Sequence, residues 1–348
     1  MIEGRTGEWL DWLIARMFQL MHTHEPDNFD AERYRGQSPS TFYFNVHAAY
    51  FSFLLRNVER FFQARELLAD QVSRDLFDQL ILFRVMSHLH VRLPFNTPEH
   101  RAQGATADTW RIMDTDDAGL LGPLAIFLVP GSTGDIRVKC WRENVAATWL
   151  QRQYYYDREG VRIAPGPGDH IVDAGGCFGD TALEFAAVAG ASGHVHTFDP
   201  IPKHCAVIRE NLAMNPGLAP RISIHEVGLA AHERVGRGQS GSEGVINPGA
   251  TAFDESISTT TLDTLAAAGT IPRVDFIKMD IEGSELDALK GAESVLRAQR
   301  PRLALSLYHR REDLFAIPLW IDALGVGYRF HLEHYSIHHE ETVLYAAC

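Results

Sequence analysis

From His170 onward the chain alternates short, β-rich apolar runs with helical stretches, and this alternation is the feature that most narrows the folds open to it. Strands each followed by a crossover helix pair in parallel, and a parallel sheet is covered by helices on both faces. The expected strands are His170–Ala174, His194–Asp199, Ile222–Val227, Asp275–Asp280 and Arg302–Tyr308. Helices are expected over Thr181–Ala189, Lys203–Met214, Ser284–Arg300 and Glu312–Leu324. The ending is different: GYRFHLEH and ETVLYAAC read as two strands joined by a polar turn, an antiparallel pair foreign to dinucleotide-dependent dehydrogenases. Together these elements predict an α/β fold built on a Rossmann-like, seven-stranded sheet.

The first part of the chain has another texture. Between Ser38 and Leu93 apolar residues recur at helical spacing: Tyr43, Val46, Ala49, Tyr50, Phe53 and Leu54, then Leu76, Leu80 and Phe83. Gly and Pro interrupt the pattern from Pro94 to Pro130, after which GDIRVKCW and TWLQRQYYYDREGVRI read as short strands or a strand and a helix. This places a boundary near residue 140, with a mainly helical accessory region over 1–140 and a second domain over 141–348. The accessory helices are expected to cover an acceptor pocket or to form a homodimer interface. Trp9–Met21 is broken by Asp11, Arg16 and Gln19, which suits an amphipathic helix better than a membrane span or a signal segment. Residues 2–5 spell IEGR, a protease-recognition sequence, and carry no functional weight. Gly236–Gly249 is a Gly/Ser-rich loop.

The formal net charge of −13, with no basic run, argues against nucleic acid, because such binding rests on Lys and Arg neutralising phosphates. No membrane partner is expected, and a small or neutral substrate is. Cys140, Cys177, Cys205 and Cys348 form no CxxC or CxxH pair, so neither a disulfide framework nor a zinc knuckle is expected, and the chain reads as cytoplasmic.

The sharpest local signal is IVDAGGCFGDTALEFA: an apolar strand ends in Asp173, Gly175, Gly176 and Gly179 follow, and a helix begins at once. Glycines there let backbone turn tightly and approach a ligand, and the helix start offers free N–H groups. Asp199, twenty residues after Gly179 in HVHTFDP, suits a carboxylate that accepts both ribose hydroxyls of an adenosine cofactor, or a helix N-cap ahead of Pro200. NAD and S-adenosylmethionine (SAM) both fit so far. Asp173 favours SAM, whose ammonium and sulfonium attract an acid where a pyrophosphate would be repelled. DFIKMDIEGSELDALKGAESVL then brings Asp280 and Glu282 to the carboxyl edge of the sheet, where ligands sit in open α/β folds; capping is the structural alternative for Glu282 and Ser284.

Four blocks together, IVDAGGCFGDTALEFA, HTFDPIPKHCAVIRENL, VDFIKMDIEGSELDALKGAESVL and LALSLYHRREDLFAIPLWIDALG with the tail ETVLYA, resemble the FkbM family of SAM-dependent methyltransferases over roughly residues 153–348. The resemblance implies a class I methyltransferase sheet, SAM held by the glycine loop and the acid after the second strand (Asp173, Gly175, Gly179 and Asp199 here), and hydroxyl acceptors on sugars or polyketide products. Cys177 and Phe178 depart from the family pattern and receive no cofactor role. Tyr154, Tyr155 and Tyr156 lie where relatives carry an aromatic near the cofactor, and Tyr154 is the candidate to contact SAM, with core packing the alternative.

SAM brings its own electrophile, so the protein must align an acceptor oxygen for in-line displacement and take the hydroxyl proton. The candidate base is His309, which follows the fifth strand in SLYHRRED, and Asp280 is expected to orient it or to bind the acceptor hydroxyl. A structural cap is the other reading of His309. His331, His334, His338, His339, Glu333, Glu340 and Glu341 match no metal motif and read as a solvated turn that lines the acceptor pocket; no metal is expected, although Asp280 with nearby acids could hold a divalent ion. Two rival functions stand beside the methyltransferase: an NAD-dependent oxidoreductase and a non-catalytic SAM-fold binding protein.

Overall fold

A computed structural model of the chain describes residues 2–25, 28–31, 44–119, 122–234 and 257–348. Tyr43 and the Gly236–Gly249 loop lie outside the described residues. Seven strands form one sheet: β1 (His170–Ala174), β2 (His194–Phe198), β3 (Ile222–His225), β4 (Phe276–Met279), β5 (Arg302–Ser306), β6 (Arg329–His334) and β7 (Thr342–Ala347). Their order is β6-β7-β5-β4-β1-β2-β3, with β5, β4, β1, β2 and β3 paired in parallel. The order reverses beside β1, between β1 and β4, and that crevice at the carboxyl ends is where open α/β sheets bind ligands. The main helices are α1 (Ile2–Leu20), α2 (Phe44–Arg56), α3 (Val58–Leu67), α4 (Gln71–Met86), α5 (Pro98–Thr109), α6 (Asp180–Ala189), α7 (Pro202–Met214), α8 (Glu285–Lys290), α9 (Glu293–Gln299) and α10 (Asp313–Ala323).

Every expected parallel strand is present, and each of the last four is shorter than read from the sequence. The residues trimmed from their carboxyl ends include Asp199 and Asp280, which leaves these acids on loops at the ligand edge. One helix expected over Ser284–Arg300 is instead two, α8 and α9. At Gly291 the backbone runs against the Ala230 carbonyl, which a Cβ would meet at 2.0 Å. The carboxylate of Asp263 then starts α9 afresh, accepting from the N–H groups of Ser294 and Val295 at 2.9 and 3.0 Å.

The chain divides into two compact units, Met1–Arg101 with Leu307–Leu344, and Ala102–Ser306 with Tyr345–Cys348. In the first, α1 buries Trp9, Leu13 and Met17 at four-residue spacing and exposes Asp11, Arg16 and Gln19, with Trp12 and Phe18 also on its outer side. The Trp9 indole donates to buried Asp78 at 2.9 Å, and Arg65 holds the same carboxylate through Nε at 2.9 and 3.0 Å. Phe61 packs edge-on against Phe315 of α10, with ring centroids 4.8 Å apart. No helix among the described residues is long and apolar enough to cross a membrane.

The C-terminal histidines, expected on a solvated turn, are mostly inside this unit. His331, His334 and His338 are 4, 3 and 7% exposed. Burial is made tolerable by specific partners: His331 Nδ1 meets Asp70 at 2.7 Å, and His334 Nδ1 meets the Thr342 hydroxyl at 2.9 Å. Asp70 also caps α4, accepting from the backbone and hydroxyl of Ser73.

The second unit contains the parallel strands and a three-stranded antiparallel sheet formed by Arg111–Gly119, Gly122–Gly131 and Gly134–Cys140. Only the last of these strands was legible, because the first has no apolar alternation and its Ile112 and Met113 are exposed. On β2 and β3, His196 Nδ1 lies 3.1 Å from His225 Nε2, and His194 Nε2 lies 2.9 Å from the Ser223 hydroxyl.

Burial pushes His196 down to about 3, with His194, His225 and His170 adding to it, and burial followed by Arg84 does the same to His334. Both rings are neutral in the fold and take up a proton on unfolding below their ordinary value of 6.5. Their contribution is therefore complete above pH 6.5 and is lost as the pH falls toward 3, at about 1.4 kcal/mol per pH unit for each ring. Denaturant-unfolding midpoints should drop between pH 6.5 and 4.5, and His196→Gln should flatten that drop. A variant slope equal to the wild-type slope would contradict this account.

Candidate cofactor site

The loop after β1 turns back on the sheet before it meets any ligand. Gly175 and Gly176 both donate their N–H groups to the Phe198 carbonyl at 2.9 Å, and the Cys177 N–H reaches Asp199 Oδ2 at 2.9 Å. Gly175 sits at φ +83, and a Cβ there would lie 1.8 Å from the Asp280 carbonyl oxygen. A Cβ at Gly176 would lie 2.1 Å from the Thr197 hydroxyl. The close approach that demands glycine at both positions is thus to neighbouring strand ends of the protein itself. Gly179, at φ +78, precedes α6 and packs on Ile208.

Asp173, expected beside the cofactor, is tied to the protein by three side chains. It is fully buried, its Oδ2 accepts from the Thr181 and Thr197 hydroxyls at 3.0 Å each, and its Oδ1 pairs with Lys278 Nζ at 3.2 Å. Lys278, which the sequence reading passed over, is 2% exposed in β4 and also donates to the carbonyls of Gly175 and Ala174 at 2.7 and 3.2 Å. Burial by itself would lower the lysine's pKa, but Asp173, Asp280 and Asp180 more than offset this and hold it above its ordinary value. Asp173 therefore braces the loop through a buried ion pair.

Asp199 is held on both of its oxygens by the protein. Oδ1 accepts from the Ile201 N–H at 2.9 Å, forming the turn that leads into α7, while Oδ2 accepts from Cys177 and lies 3.1 Å from His204 Nδ1. A carboxylate oxygen has two acceptor sites, so Oδ1 retains capacity for one hydroxyl. Asp280 is half-buried, and its Oδ2 accepts from the Tyr154 hydroxyl at 2.9 Å. The Tyr154 ring in turn lies 5.3 Å from Lys278 Nζ, so this tyrosine links two parts of the loop's support. Glu282 is exposed at φ +55, and no capping bond comes from the Ser284 side chain. Glu285 takes a role near there instead, accepting from the Ile281 N–H at 2.8 Å.

Asp180, the first residue of α6, also escaped the sequence reading. It is 3% exposed, accepts from Thr148 at 2.6 Å and Asn144 at 3.2 Å, and burial raises its pKa against the pull of Thr148. Phe178 is buried edge-on against Trp141. His309 belongs to the first unit, where it is 5% exposed with its ring 4.1 Å from that of Tyr308.

Sheet order and glycine turn define a Rossmann-like fold with the seven-stranded sheet of class I methyltransferases. Residues 173–330 match the methyltransferase FkbM domain. The solved FkbM methyltransferase of Methylobacillus flagellatus matches at 20% identity and TM-score 0.54, over 85% of this chain and 60% of its own. This chain thus spans about three fifths of that protein's length. Fibrillarin from Aeropyrum pernix, solved with bound SAM, matches at 12% identity and TM-score 0.39 over 65% of this chain and 90% of its own. A Bacillus cereus O-methyltransferase, solved with S-adenosylhomocysteine (SAH), matches at 14% identity and TM-score 0.35 over 59% of this chain and 79% of its own. No protein of curated function matches.

Proposed function

We propose that the chain transfers a methyl group from SAM to a hydroxyl of a sugar, glycan or polyketide-like acceptor. The observation that carries the cofactor half of this reading is the charge around the loop: Asp173, Asp180, Asp199 and Asp280 surround the turn, with the ammonium of Lys278 among them. This surplus of acid suits a cationic cofactor and repels a pyrophosphate. Asp199 would hold the ribose through the free capacity of Oδ1, and Asp280 and Glu282 would meet the amino end. Tyr154 orients Asp280 through its hydroxyl bond. When bound, SAM supplies an activated methyl group on a positive sulfur.

His309 would remove the acceptor proton, three residues past the end of β5. The hydroxyl acceptor rests on family resemblance, and the N-terminal helices are proposed to shape acceptor access or a homodimer contact. The test is label transfer from methyl-tritiated SAM to a panel of sugars, glycans and polyketide alcohols. Transfer to a hydroxyl supports the reading. Transfer confined to nitrogen acceptors, or uptake of NAD in preference to SAM, contradicts it.

A further inference from the structure

Lys278 is an anomaly of β4: the strand FIKM is buried at all four positions, and its third residue carries a charge. A buried ion persists when its protons are all matched, since an unmatched one costs several kcal/mol. Here Nζ donates to the carbonyls of Gly175 at 2.7 Å and Ala174 at 3.2 Å, and Asp173 Oδ1 lies 3.2 Å away as its ion-pair partner. Two of those three belong to the backbone of the cofactor loop.

From this we infer that Lys278 is a positioning residue for the cofactor: its ammonium clamps the carbonyls of Ala174 and Gly175 to Asp173 and so sets the path of the loop against the end of β4. The other jaw is the Asp280 carbonyl, against which Gly175 packs too closely for any Cβ. Lys278 lies in β4 and Asp280 immediately follows its last residue, Met279, so the end of one strand carries both residues. The aromatic ring of Tyr154 spans the two, 5.3 Å from the ammonium and bonded through its hydroxyl to the Asp280 carboxylate. One strand thereby fixes the loop and the acid that faces the amino end of the ligand. Ion pairing alone would need Asp173 and no carbonyl contact. Both carbonyl contacts are present.

The inference rests on the proposed SAM site, and the experiment separates the two. SAH binding is measured by calorimetry for the whole chain as wild type, Asp173→Asn, Lys278→Met and the double variant, with thermal unfolding of each. Asp173→Asn keeps the lysine and its carbonyl bonds, because even a neutral amine donates, and its SAH affinity is the reference for the double variant. Lys278→Met should lower the melting temperature and weaken SAH by at least about tenfold. The double variant removes the orphaned carboxylate and should regain most of the melting temperature while SAH stays about tenfold weak. That split between recovered stability and unrecovered affinity is what a purely structural lysine would not give. A double variant that binds SAH as Asp173→Asn does, or Lys278→Met that binds as wild type does, overturns the positioning role. A wild type that takes up no SAH overturns the cofactor site itself.

Discussion

Asp173→Ala should cost about 3–5 kcal/mol of folding stability, as removal of one partner from a buried ion pair does. The substitution strands the Lys278 ammonium, 2% exposed, and leaves two hydroxyls, on Thr181 and Thr197, without their shared acceptor. It also opens a hole where β1 meets β2 and β4. Denaturant unfolding of wild type and variant measures the loss directly. Were Asp173 chiefly a ligand for the cofactor's ammonium, the variant would fold nearly as well as wild type and differ in SAM affinity; a stability change under about 1 kcal/mol would favour that view.

His309→Ala should lower turnover by about a hundredfold to ten-thousandfold, the usual contribution of a positioned general base. The affinity for SAH should stay within about threefold, because proton removal from the acceptor contributes nothing to holding the adenosyl group. The expected signature is a fall in kcat with the SAM KM little changed. Near-normal turnover would take His309 out of the chemistry and leave it as a buried residue beside Tyr308.

How much of this was legible depended on whether the local signal was about burial or about partners. The parallel strands were readable because apolar runs such as HIVDA and RLALS are buried on both faces and little else explains them. Their carboxyl ends were overextended because Asp199 and Asp280 continue the run in sequence while leaving the ladder in space. Lys278 was missed because one lysine within FIKM reads as an interruption; a charge in a strand buried at every position was itself the sign of a buried counter-ion, and Asp173 was the acid available. The glycines were correctly placed at a tight loop, yet what they approach closely is the Asp280 carbonyl and the Thr197 hydroxyl. The histidines at 331, 334 and 338 looked solvated because polarity was taken as exposure, while Asp70, Thr342 and Ser336 supply their partners from within the fold. Asp70 is 261 positions away from His331 in sequence, beyond the reach of any local pattern.

The central claim is that the acid-lined turn between β1 and β2 holds an adenosyl cofactor carrying positive charge. Calorimetric titration of the folded chain with SAM, SAH and NAD tests it most directly. The account predicts saturable uptake of SAM and SAH, weakened by Asp199→Ala, and none of NAD. Heat of binding from NAD alone, or from none of the three, would contradict it.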